Sequence, residues 1–399
     1  MIAVVGGCYA EVCLTPPWNH IYGSAGRAAA AISTRNATVE LHTLLSEQFQ
    51  ADFLFAMSAY DVTHHFIKSN CSVTFEYLHP LSSPYRSVEG EPPSPGTLPH
   101  IRHENILLFG MVEYTPTVHG ARVVYDPQSN QPKLFSTNGS TAKELIYVLN
   151  EIELERLTGL PGINDGAAKL LEDENLTAAI VKRGPLGATV FAKNSQASFV
   201  PCYRARRVFK IGSGDIFAAA FSHFWQTENL NVLDAADLAS RTVACYAETQ
   251  DASIPSKEEL LREYNDPVEG KPGSIYLAAP FFSLEQRWIL EETKLLLENF
   301  GCRVFSPFHA VGTNRSNAEL AQDDLEGLAG CDALLGLIND NDTGTIFELG
   351  YGVAQNKKVI LYTERSSSRD LTMLEGSGCL IFPDYCSAIY NAVWESCTS

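Results

Sequence analysis

Positive charge is scarce in this sequence. Lys and Arg number 29 against 47 Asp and Glu, a formal net charge of −18. That balance argues against a nucleic-acid backbone or an anionic membrane as the main partner, since both select basic surfaces. Small anionic ligands stay open, because a nest of backbone N–H groups holds phosphate without side-chain charge. Long apolar runs are also missing, and none approaches the ~20 residues that span a bilayer. Met1–Gly7 lacks the basic and long apolar regions of a signal peptide and reads as a buried strand and turn. The ten cysteines include no Cys-x-x-Cys pair. The expectation is therefore reduced, mostly buried thiols in a cytoplasmic protein, with little support for zinc. The ten histidines show no ligand spacing either, and the adjacent pair His64-His65 is expected in a loop or lid. Internal repeats and long low-complexity tracts are absent.

What is present fits two globular domains. At 399 residues the chain exceeds the ~250–300 over which a single core grows. The Pro-, Gly- and charge-rich stretch 265–273 separates a helical pattern from a fresh buried strand, which predicts domains at 1–264 and 274–399 with a linker between them. A second Pro/Ser/Gly-rich stretch, Pro80–Pro99, reads as a surface loop or part of a lid. Buried strands alternate with helical patterns in both halves, which predicts α/β architecture with parallel sheets. In the first half the expected strands include Ala3–Val5 and Ala179–Lys182, and the expected helices Gly26–Ser33 and Ile216–Thr227. In the second half strands are expected at Ser274–Ala279, Arg303–Ser306, Ala333–Ile338 and Lys358–Tyr362. Helices are expected there at Leu284–Phe300, Asn317–Ala329 and Ile346–Gln355. Ligands of such sheets sit at the carboxyl ends of the strands.

The first chemical constellation is Gly212-Ser213-Gly214-Asp215, a Gly-rich turn opening an apolar helix. Glycines let the backbone approach a ligand, and the helix N-terminus offers unpaired N–H groups and a positive dipole end. That suits a transferring phosphoryl group, with Asp215 taking the proton of the attacking hydroxyl. The plain alternative is an ordinary helix start. Over about residues 1–262 this half resembles the ribokinase (PfkB) family of sugar and nucleoside kinases. Besides the Gly-x-Gly-Asp turn it shares Asn150-Glu151-Ile152-Glu153, Val181–Ala188 and Val124-Tyr125-Asp126-Pro127. The resemblance implies a ribokinase-like α/β sandwich that uses ATP and Mg²⁺. It places Gly212, Ser213, Gly214, Asn150, Glu153, Gly184 and Gly187 on the nucleotide side, with Glu153 organising Mg²⁺ indirectly. Asn150 and Glu153 also suit a helix capping box.

Departures gather at the acceptor end. Phe209-Lys210 replaces the family's Asp-Thr, Glu11 stands for its sugar-binding Asp, and Arg27 stands where Asn is expected. Glu11 and Arg27 remain the candidate substrate-binding residues there. An unusual acceptor and binding without turnover both follow as readings.

The second constellation is Asp340–Tyr351. Cleaving a C1′–N bond passes through an oxocarbenium-like state that a carboxylate stabilises or attacks, while a second acid assists the departing base. Thr345-x-x-Glu348 also fits a capping box with Thr345 as N-cap. Residues 273–399 resemble the nucleoside 2-deoxyribosyltransferase family through Ile275–Phe282, Asp324–Asp332 and Asp342–Gly350. The resemblance implies a Rossmann-like (flavodoxin-like) parallel-sheet domain that needs no cofactor. The same resemblance implies Glu348 as its nucleophile, with Tyr276 positioning that carboxylate, Asp324 and Asp342 meeting the base, and Ala278, Pro280 and Phe281 lining the substrate. The family's shared-site design implies a homo-oligomer, although Asp370–Gly378 lacks the Asn expected of the completing segment.

Together these readings describe a bifunctional enzyme acting on nucleosides, nucleotides and sugars. One domain cleaves or exchanges an N-glycosidic bond and the other phosphorylates a sugar or nucleoside. The second reading is a nucleotide N-glycosidase governed by a catalytically impaired, kinase-like sensor.

Overall fold

The computed structural model describes residues 1–91, 100–193, 195–310, 316–339, 342–364 and 371–398. By contacts the chain divides into Met1–Ala205 with Phe209–Pro267, and Arg206–Val208 with Val268–Ser399.

The first unit is built on a nine-stranded sheet. Its order is Ser198–Val200, Ala188–Ala192, Ala178–Lys182, Thr141–Asn150, Val118–Asp126, Ile101–Phe109, Ile2–Val5, Val39–Ser46 and Val62–Ser69. The last seven run parallel, and the first two turn back antiparallel. Ile2–Val5 is buried along its whole length, as expected of a central parallel strand covered on both faces. One face packs on helix Gly23–Ser33, through Ala25 and Ala28–Ile32, and on the apolar helix Ser213–Ser222. The other face carries Tyr125, Tyr147, Leu154 and Leu170. A separate four-stranded sheet, Trp18–Ile21, Ala10–Cys13, Ser72–Tyr77 and Tyr85–Glu89, forms the lid layer and bears Glu11.

Several sequence expectations shift here. The Gly26–Ser33 helix starts at Gly23, and the Ile216 helix starts at Ser213 and ends in a π turn, His223–Thr227. His64-His65 lies in neither loop nor lid but in edge strand Val62–Ser69. There Val62 and Phe66 pack toward the helical side, and strict alternation sends His65 to the opposite face. Part of the Pro80–Pro99 stretch is lid strand Tyr85–Glu89, and 92–99 lies outside the described residues.

The second unit has a five-stranded, all-parallel sheet in the order Arg303–Phe305, Ser274–Ala278, Ala333–Leu337, Lys358–Tyr362, Leu380–Phe382. Within the unit this is the doubly wound order 2-1-3-4-5, whose ligand crevice opens where the first and third strands diverge. Asn317–Ala329 and Lys358–Tyr362 form with the expected limits. Among the described residues no helix is long and apolar enough to cross a membrane.

Candidate functional sites

The first site forms at the start of helix Ser213–Ser222. Gly212 adopts φ +79°, a left-handed conformation that favours glycine, and no side chain caps this helix. The N-terminus therefore stays available to an anion. Lys182 ends strand Ala178–Lys182, and a Cβ added at Gly214 would lie 3.3 Å from its Nζ, so the ammonium rests against the helix start. Lys182 donates to Asp126 Oδ2 at 2.8 Å. Burial pushes the Asp126 carboxyl up to about 7, Lys182 draws it back, and Glu153 and Asp215 raise it. Burial alone would lower Lys182, yet Asp126 and Glu153 outweigh it and raise its pKa. Asn150 and Glu153 do form the capping box, each side chain accepting the other's backbone N–H at 2.8 Å. Gly184 opens the turn after Lys182. Gly187, at φ +81°, closes it where a Cβ would overlap the Val200–Cys202 backbone.

Where the acceptor is expected, the protein's own side chains form a buried network. Arg27, from helix Gly23–Ser33, reaches between Glu11 on the lid and Asp215, and all three are buried at 1–4% exposure. Its Nη1 donates to Asp215 Oδ2 at 2.5 Å and its Nη2 pairs with Glu11 Oε2. The other Asp215 oxygen accepts from Gln128 Nε2 at 2.5 Å, and Gln128 accepts from Ser24 Oγ. Both oxygens of the candidate base are thus engaged. A Cβ at Gly212 would overlap the guanidinium, so the glycine also admits Arg27. Burial would lower the Arg27 pKa, but Glu11, Tyr246 and Asp215 raise it well above its usual range, so the charge is permanent. Lys182 and Gln128 were not singled out by sequence reasoning. Both lie in or beside quoted motifs, but nothing in the sequence shows where their side chains converge.

In the second unit Tyr276, fully buried on strand Ser274–Ala278, donates its hydroxyl to Glu348 Oε1 at 2.9 Å. Glu348 lies within a helix, and Thr345 is not its N-cap. The helix runs Thr343–Ala354 with Asp342 as N-cap, accepting from Thr345 N at 2.8 Å and Thr345 Oγ1 at 2.9 Å. The Asp342 side chain takes the capping role three residues earlier, which leaves Glu348 inside the helix, turned toward Tyr276 of the sheet. Burial pushes the Glu348 carboxyl up to about 7; the Tyr276 hydrogen bond opposes this, and Asp324 and Asp342 add to it. Asp324, on helix Asn317–Ala329, buries an Oδ1 with no partner among the described residues. Burial and then Asp323 raise its pKa. The Tyr276 ring stacks on Phe305 at 5.4 Å, and Gly327 leaves room for that ring.

The opening of this domain carries the other expected substrate residues. Ala278 ends the first strand, and past Pro280 the Phe281 ring lies 5.2 Å from Phe308. Asp340, Asn341 and Asp370 lie outside the described residues. Of the 370–378 segment, Thr372–Gly376 is a short helix whose Leu374 enters the core.

Comparison with known proteins agrees with this division. Residues 118–259 match the pfkB family of carbohydrate kinases, and residues 275–381 match the nucleoside 2-deoxyribosyltransferase family. The chain is a fusion of a ribokinase/PfkB-like carbohydrate kinase domain with a nucleoside 2-deoxyribosyltransferase-like domain. Fructokinase-1 of Oryza sativa subsp. japonica is 29% identical over 108 residues, 25% of this chain and 33% of that protein. The chain thus spans about a third of the length of the curated relative it matches. A fructokinase double mutant from Vibrio cholerae O395, bound to fructose, ADP and potassium, is 16% identical with a TM-score of 0.50, covering 66% of this chain and 99% of that one. A ribokinase from Thermotoga maritima is 15% identical with a TM-score of 0.44, covering 66% and 98%.

Proposed function

We propose that the C-terminal domain cleaves or exchanges the N-glycosidic bond of nucleosides or nucleotides, with Glu348 as nucleophile. The observation that carries this reading is the Tyr276–Glu348 hydrogen bond, made by a glutamate that its own helix does not use as a cap. A Glu348 oxygen attacks C1′ as the C1′–N bond breaks, and the bond's electron pair leaves with the base. Asp324 and Asp342 flank the base, and one of them manages its proton. Ala278, Pro280 and Phe281 line the substrate. Water or a second base then takes the sugar from Glu348. Hydrophobic residues exposed on this unit, Phe282, Leu284, Trp288 and Phe347, support self-association. The test is mass spectrometry of a nucleoside and nucleotide panel incubated with the protein, with and without ATP-Mg²⁺. Free base from some panel member supports the reading, and no base from any member removes it.

The state of Glu348 also sets a pH dependence. A nucleophile must be ionised, and its carboxyl sits at about 7. Base release under kcat/KM conditions is expected to rise about tenfold from pH 6 to pH 8, following the ionised fraction. A profile flat across that interval would show that Glu348 ionisation does not limit the reaction.

For the N-terminal domain we propose an ATP-binding site in which Gly212, Ser213, Gly214 and Lys182 take the phosphates, with Asn150, Glu153, Gly184 and Gly187 completing the nucleotide side. The uncapped helix start with an ammonium beside it fits a phosphate group. Mg²⁺, organised indirectly through Glu153, would neutralise phosphate charge. Phosphorylation of a sugar or nucleoside requires Asp215 to receive a hydroxyl proton. The Arg27 and Gln128 contacts that fill both Asp215 oxygens favour the second reading, a domain that senses nucleotide and regulates the glycosidase. In the same panel, nucleotide binding without ATP consumption supports the sensor, and a phosphorylated product supports the kinase.

A further inference from the structure

Outside both sites, the exposed face of the first unit's main sheet gathers three ligand-type side chains. Glu40 and His42 lie two residues apart on strand Val39–Ser46 and so share a face. The parallel register sets His65 of the edge strand directly opposite His42. Their rings stack at 4.7 Å and 16°. Glu40 Oε2 lies 3.4 Å from His42 Nε2 and 3.6 Å from His65 Nε2, and the three ligand atoms all fall within 4.8 Å of one another.

We propose that Glu40, His42 and His65 bind one divalent transition-metal ion of the Zn²⁺ class. Direct hydrogen bonds are a poor account of the cluster, because 3.4 and 3.6 Å exceed the ~2.7–3.2 Å of an N–H···O bond. Those separations do match the edge of a tetrahedron: metal bonds of ~2.0–2.2 Å place ligand atoms ~3.3–3.6 Å apart. Two imidazoles and a carboxylate are a borderline-soft donor set suited to Zn²⁺ and poorly suited to Mg²⁺ or Ca²⁺. Two hydrogen-bonded strands hold the ligands, and a turn of the half-exposed His65 ring closes the third edge. The two histidines also line a cavity of about 250 Å³ with Ile101 and Tyr114, which leaves a fourth coordination position for water or a small ligand. No sequence spacing announces this site, because one ligand comes from the neighbouring strand.

The test uses the full chain, stripped with chelator and titrated with Zn²⁺, and with Co²⁺ as a spectroscopic probe. One equivalent of Zn²⁺ is expected to bind, with a Co²⁺ spectrum free of thiolate charge-transfer absorption. His42→Ala and His65→Ala are each expected to weaken Zn²⁺ binding at least tenfold, on the order of what even outer-shell partners contribute. Thermal melts of the metal-free variants check folding, and His65→Gln, at a half-exposed position, serves if His42→Ala is unstable. Absence of stoichiometric binding would overturn the proposal. So would unchanged affinity in the His65 variants, or a thiolate spectrum assigning the ion to cysteines.

Discussion

Glu348→Gln is expected to lower base release by about 10³-fold or more, the scale on which loss of a covalent nucleophile acts. The amide still accepts the Tyr276 hydroxyl hydrogen bond but cannot attack C1′. Stability is expected to move the other way. The folded-state carboxyl sits at about 7, above its unfolded value near 4.5, so the folded chain holds the extra proton between those two pH values. Any advantage of the folded state is complete below about 4.5 and lost as pH rises through 7. At pH 8 wild type carries a half-buried charge that the neutral amide avoids, and the variant should melt no lower than wild type. Melting and activity measured together at pH 8 separate catalysis from architecture. Equal loss of both would return Glu348 to a structural role, and full activity would end its assignment as nucleophile.

Arg27→Met is expected to destabilise the first unit by about 3–5 kcal/mol, the usual cost of leaving buried charge without its partner. Arg27 is the positive charge between Glu11 and Asp215, and its removal leaves two carboxylates facing each other out of water. Glu11→Leu should cost much less, since Arg27 and Asp215 remain a balanced pair. Added to Arg27→Met, Glu11→Leu should recover part of the loss, because the remaining acid no longer faces a like charge. Urea unfolding of the four proteins, followed through the first unit's transition, measures this cycle. Additive losses would show that Arg27 stabilises by packing alone, and the account of Asp215 as a residue withheld by its ion pair would fall with it.

How far the sequence disclosed these sites differs between the two. In the second unit the strand and helix periods were clear. Asn317–Ala329 and Lys358–Tyr362 form with the limits read from pattern alone, and Tyr276 meets Glu348 as the motif implied. The capping reading failed because two residues competed for one helix start. Asp342 and Thr345 are both good N-caps, and pattern alone could not show that the carboxylate three residues earlier would take the position. In the first unit the Gly-rich turn was legible as local backbone chemistry. Arg27 was visible as a departure from the family, but its partners were not. Glu11 and Asp215 lie 16 and 188 residues from it in sequence, and only the lid sheet and the packing of helix Ser213–Ser222 on helix Gly23–Ser33 bring the three together. His65 was misread for a related reason. A histidine pair carries little strand signal, and its environment comes from the register with Val39–Ser46.

The covalent step is tested most directly by trapping it. A 2′-fluoro-2′-deoxy nucleoside with a good leaving group should slow both halves of the reaction by destabilising the oxocarbenium-like state. Sugar should then accumulate on the enzyme. Intact-protein mass spectrometry is expected to show the mass of one fluorosugar added, and digestion to place it on the peptide containing Glu348. A base-releasing protein that forms no adduct and gives product inverted at C1′, assayed before mutarotation, would contradict double displacement and point to direct attack by water.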